Sequence, residues 1–65
     1  MNKIISFQYC DSNGNIEGIK HLNTAIIAQI AKQDNGKQLT YIDTINGWSI
    51  YTPLTIEQLK SLVND

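Results

Sequence analysis

Asparagine followed by glycine punctuates this chain three times, at Asn13-Gly14, Asn35-Gly36 and Asn46-Gly47, and uses three of its four glycines. Both residues accept positive φ at little cost, so the pair marks places where a chain reverses or a helix stops. Two of the three pairs lie between runs of β-forming residues, the strongest short-range signal for a hairpin. The constraint is severe in a chain of 65 residues. Reversals at these points leave room only for short elements around one core.

The clearest hairpin runs from Gln38 to Ile45 and from Trp48 to Thr52, with Asn46-Gly47 as a two-residue tip. That loop length predicts a register in which Ile45 faces Trp48, Asp43 faces Ile50, Ile42 faces Tyr51 and Tyr41 faces Thr52. Leu39, Tyr41, Asp43, Ile45, Trp48 and Ile50 then share one side. Thr40, Ile42, Thr44, Ser49 and Tyr51 share the other. An earlier strand is expected over Lys3–Cys10, with Ile5, Phe7 and Tyr9 on one side at period two. After Asn13-Gly14 the chain returns over Asn15–Lys20 as a weak strand, because Gly18 lies in its middle; a loop with a bulge is the competing reading.

Two helices are expected. The first covers HLNTAIIAQIAKQDNG, with Asn23 or Thr24 as N-cap, a broad apolar surface of Ala25, Ile26, Ile27, Ala28, Ile30 and Ala31, and Gly36 as the stop. The second follows Pro53. Thr55 and Gln58 match a capping box, Leu54 can staple onto Leu59, and Ile56, Leu59, Leu62 and Val63 share one face up to about Val63. The expected architecture is therefore α+β: one compact domain over residues 1–65, in ββαββα or βαββα order, with a three- or four-stranded antiparallel sheet and both helices packed on one face.

The richer hairpin side, carrying Trp48, is expected beneath the helices, with Trp48 half covered at the edge of the core. The other sheet face is expected bare. It would present Ile42 and Tyr51 as a cross-strand pair, joined by Ile4 and Ile19 and ringed by Ser6, Gln8, Thr40, Thr44 and Ser49. An apolar centre with a neutral polar rim has the character of an interface.

Composition narrows the chemistry. The chain is 42% hydrophobic and 17% charged, a globular balance. Five lysines are scattered along it and arginine is absent. The bidentate fork that reads phosphate and guanine is therefore missing, which makes nucleic acid a poor partner. Phe7, Tyr9, Tyr41, Trp48 and Tyr51 leave weak single-strand stacking as the alternative reading. Cys10 and His21 are the only thiol and imidazole, which excludes an intramolecular disulfide and a Cys/His metal cluster. A Cys10–His21 nucleophile pair needs the two within hydrogen-bond reach; the expected register sets Cys10 opposite Glu17, with His21 in solvent near a helix start. Asp11-Ser12-Asn13-Gly14 fails the calcium-loop spacing, because the twelfth position is Leu22. No phosphate loop occurs. Asp43 is the odd carboxylate, placed on the apolar hairpin side opposite Ile50, where it would hydrogen-bond hydroxyls or backbone or stay wet at the sheet edge. The opening MNKIISFQYCDSNG holds too short an apolar run for a signal peptide, and no segment approaches a membrane span. A free thiol then points to a reducing cytoplasm.

These readings predict a small non-catalytic protein that binds another protein, or itself as a homodimer, by steric contact. Tyr51, Ile42, Trp48, Ile19 and Ile4 are the expected contact residues. No cofactor, metal, membrane or small-molecule substrate is called for. Adaptors, regulators and inhibitors, including anti-defence proteins of phages and mobile elements, are of this kind.

Overall fold

A computed structural model describes residues 3–33 and 39–64. Within them the chain forms β1 (Ile4–Cys10), β2 (Ile16–Asn23), a single 3₁₀ turn (Thr24–Ile26), β3 (Ile27–Lys32), β4 (Thr40–Thr44), β5 (Ser49–Thr52) and α1 (Ile56–Asn64). The strands make one antiparallel sheet in the order β2-β1-β5-β4-β3. The expected three- or four-stranded sheet with two helices is thus corrected to five strands and, among the described residues, one α-helix.

The missing helix is the segment after Asn23. Asn23 does cap, and its side chain accepts from the Ala25 N–H at 2.9 Å. The cap starts only one 3₁₀ turn, and the chain then extends into β3. A bulge explains why the pattern reads as a helix. Ile27 pairs with Thr44 and Gln29 with Asp43, so Ala28 is the extra residue and strict alternation is lost. Ile27 and Ile30 consequently stand three apart, the spacing of a helix face, while lying on a strand. Their β-branched side chains suit the extended form, and the edge of β4 supplies the ladder. The helix stop expected at Asn35-Gly36, and the strand start at Gln38, lie outside the described residues.

Both remaining Asn-Gly pairs turn hairpins, by one shared geometry. Gly14 N–H donates to the Asp11 carbonyl and Asp11 N–H to the Asn15 carbonyl, each at 3.0 Å. Gly47 N–H donates to the Thr44 carbonyl at 3.0 Å and Thr44 N–H to the Trp48 carbonyl at 2.9 Å. Each loop therefore holds three residues and not two, a type I turn closed by a glycine at positive φ, 94° at Gly14 and 89° at Gly47. The side chain before each loop reinforces it. Asp11 accepts from the N–H groups of Asn13 and Asn15, and Thr44 Oγ1 accepts from Trp48 N–H.

The longer loop shifts the register of the second hairpin by one. Ile42 pairs with Ile50, Tyr41 with Tyr51 and Asp43 with Ser49. A one-residue shift exchanges the faces of a strand, so β4 is turned over relative to expectation. Thr40, Ile42 and Thr44 are buried, and Ile42 is 0% exposed. Tyr41 and Asp43 pass to the other face, where Ser49 Oγ donates to Asp43 Oδ1 at 2.8 Å. The bond from Asp43 to a neighbouring hydroxyl is as expected; its position opposite Ile50 is not.

The sheet cannot be flat. Asn23 ends β2 at one edge and Ile27 opens β3 at the other, four peptide steps later. That span is at most about 14 Å, whereas the edges of a flat five-stranded sheet stand about 19 Å apart. The strands must coil and stagger until the edges approach. The 3₁₀ turn ties the two regions it joins. Thr24 N–H donates to the Lys3 carbonyl at 2.8 Å, and Ile45 N–H to the Ile26 carbonyl at 2.9 Å. Inside the coil lie Ile5, Phe7, Leu22, Ile42 and Ile50, closed by Leu59 of α1. The helix is set by the expected capping box, with Thr55 N–H donating to Gln58 Oε1 at 2.9 Å and Gln58 N–H to Thr55 Oγ1 at 3.1 Å. Leu54, Leu62 and Val63 pack against the same cluster.

The β1–β5 seam is narrow. One residue pair, Cys10 with Tyr51, defines it. Beside it Thr52, fully buried, donates through Oγ1 to the Gln8 carbonyl at 2.7 Å and accepts from Leu54 N–H at 3.3 Å. A buried hydroxyl with both roles satisfied stabilises the seam without an orphaned polar atom. Among the described residues no helix is long and apolar enough to cross a membrane.

Candidate functional site

Helix α1 covers one face of the sheet and the second face is left to solvent. Pairing along β1 and β2 places Ser6 opposite His21 and Gln8 opposite Ile19, with Ile4 at the end of the same row. Ile4 is 61% exposed and Ile19 56%. Across the seam this face continues with Tyr51 and Tyr41, half-buried, their rings 6.3 Å apart and tilted by 60°. A tilted aromatic pair at that distance is an attractive arrangement. It also holds both rings in one orientation on the open face.

The expected contact residues are thus divided. Ile4, Ile19 and Tyr51 lie on the open face as anticipated. Ile42 does not, because the register shift carries it into the core. Trp48 was expected half covered at the core's edge. It is instead 65% exposed, since the three-residue loop leaves it at the base of the turn, level with Thr44 and outside the closed core. Ile45, in the same turn, and Ile16, at the start of β2, are exposed as well. Neither was anticipated as a surface residue. Ile16 stands opposite Cys10 because the first hairpin loop also holds three residues, so Glu17 loses the pairing expected for it and is left as the extra residue between Ile16 and Gly18. Tyr41 was missed for the same reason that Ile42 was misplaced, and loop length is the signal that would have found it.

The groups capable of covalent chemistry are kept apart. His21 is exposed, as expected, but on β2, three residues before the 3₁₀ turn; its Nδ1 lies 2.7 Å from Ser6 Oγ. Cys10 is four residues further along β1 from Ser6, about 13 Å at strand rise. Cys10 is buried outside the main core cluster. Its thiol is pushed above the ordinary range, first by burial and then by the negative charges of Asp11 and Glu17. A thiol so placed is mostly protonated at neutral pH, and the thiolate is the nucleophile. Iodoacetamide at pH 7 should therefore modify folded Cys10 at least about tenfold more slowly than the urea-unfolded chain. Equal rates, followed by mass spectrometry, would contradict the burial of Cys10.

Among the described residues no group of three or more His, Cys, Asp or Glu side chains converges as a metal site. Asp11 is held below the usual carboxylate range, chiefly by the backbone N–H of Asn15, so it stays charged and committed to its own turn. Comparison with protein-family models, curated proteins and solved structures finds no match to this chain.

Proposed function

We propose that this chain acts without catalysis of its own, as a steric regulator, adaptor or inhibitor that binds another protein in a reducing cytoplasm. The contact surface is the open sheet face with its turn end: Ile4, Ile19 and Tyr51 on the face and Trp48 at the rim. The supporting observation is the exposure of large apolar side chains on a sheet face that α1 leaves uncovered. Isolated exposed hydrophobes are ordinary. A domain this small, with little apolar surface to spare, gains stability by burying its isoleucines and tryptophan. Leaving several of them outside is the mark of a surface used for contact. The separation of Cys10 from His21 supports the non-catalytic part of the reading, and the single free thiol supports the compartment.

The test uses tagged wild-type protein and the double variant Ile4→Asp/Ile19→Asp, with a lysate of the native host and mass spectrometry. The wild type should retain a discrete protein, and the variant should bind it at least about tenfold more weakly, as expected when anchors are lost. Melting temperatures of the two should agree within a few degrees, because neither isoleucine is in the core. Retention of the same protein by both forms, or of none by either, removes the reading.

A further inference from the structure

The two hairpin tips lie at the same end of the sheet, because β1 and β5 run antiparallel with Cys10 opposite Tyr51. Between them is an open notch of about 320 Å³. Its lining combines aromatic surface from Tyr9, Trp48 and Tyr51 with the carboxylates of Asp11 and Glu17. Asp43, bonded to Ser49 of the lining, adds a third negative charge at this end.

Among the described residues, the charges on the strands and hairpin loops are distributed unevenly around this feature. Among the described residues Lys20 is the only lysine that lines the notch, and its Nζ stands 4.6 Å from the centre of the Tyr9 ring. Lys3, ahead of β1, and Lys32, opposite Thr40 at the start of β4, are at the other end of the sheet. The field of Asp11 and Glu17 reaches into the notch, since both oppose ionisation of Cys10 on its wall. One aromatic face, that of Tyr9, already holds a cation. The ring of Trp48 is free of one among the described residues.

We propose that this notch receives an arginine side chain from the protein partner, stacked on Trp48 and paired with Glu17. The inference rests on the protein-binding reading above and names the chemistry of the segment that docks at its rim. Arginine fits best because its flat guanidinium lies over an indole face and meets a carboxylate at its edge at the same time. Glu17 is the pairing group because Asp11 already accepts from Asn13 and Asn15 within its turn; Asp11 adds charge at longer range.

Trp48 is the only tryptophan, so its emission reports this notch alone. The probe is acetyl-Gly-Arg-Gly amide, titrated into the full chain beside the same peptide carrying citrulline, which keeps the shape and loses the charge. The arginine peptide should change Trp48 emission in a saturable way, and the citrulline peptide should not. Glu17→Gln should weaken arginine binding about fivefold, the upper range for an exposed charge pair, with an unchanged melting temperature. Equal responses to both peptides, or none to either, overturn the proposal. Ile4 and Ile19 lie outside the notch, so failure here leaves the result of the sheet-face experiment standing, and failure there removes the protein partner as the source of the arginine while leaving the peptide response itself to be read.

Discussion

Ile42→Ala is expected to leave the chain at the limit of folding, while Tyr51→Lys on the next strand leaves it folded. Ile42 is fully buried, pairs with Ile50 and Ile30, and belongs to the core cluster. Truncating a buried isoleucine to alanine costs about 2–5 kcal/mol. A single core in a chain this small supplies roughly 3–5 kcal/mol in total, so the loss is comparable to the whole. Tyr51 is half-buried on the open face, opposite Tyr41. Lysine there keeps a long aliphatic stem over the sheet and its charge in water, at a cost of about 1 kcal/mol. Thermal melts followed by circular dichroism separate the two. A folded Ile42→Ala with a melting temperature near that of wild type would falsify the register described above, and with it the assignment of faces in β4.

Leu59→Ala should have an effect of the same size by a different route. Leu59 is the one residue of α1 that is fully buried, and it completes the cluster formed by four strands. A helix of nine residues is marginal alone in water, whatever its caps. Its stability comes from docking, and Leu59 is the centre of that contact. The expected loss is again about 2–5 kcal/mol. Urea titration should show a lower midpoint and loss of the helical signal together with the sheet. A variant that loses only the helix, and keeps the sheet cooperative at the original midpoint, would show that the strands hold their own core without α1.

The features legible in the sequence were those in which one residue type enforces one local geometry. Gly14 and Gly47 turn the chain where positive φ is needed, Thr55 and Gln58 cap reciprocally, and Pro53 ends the last strand. The alternation of Ile5 and Phe7 against Ser6 and Gln8 placed β1 correctly on its two faces, and Ile4, Ile19 and Tyr51 followed. What escaped was the effect of single extra residues. One added loop position before Asn46 reversed β4, burying Ile42 and exposing Tyr41. One bulged residue, Ala28, disguised an edge strand as a helix. The three-residue loop at Asn13-Gly14 likewise moved Glu17 out of register with Cys10 and left it bulged beside the notch. Period-two and period-3.6 patterns carry no marker for such insertions, because a bulge is defined by its partner strand and not by its own residues.

The narrow seam between β1 and β5 also orders events in time. The β1–β2 and β4–β5 pairings close over short stretches of chain, whereas Cys10 and Tyr51 are about forty residues apart, and closing so long a loop carries a larger entropic penalty. The hairpins therefore assemble early and the seam zips last, at the slow end expected for non-local β pairing. The Leu54 amide, held by Thr52 Oγ1 at the seam, should accordingly gain protection after those flanking the two Asn-Gly turns, making a join only one residue pair wide the step that commits the molecule to its native state.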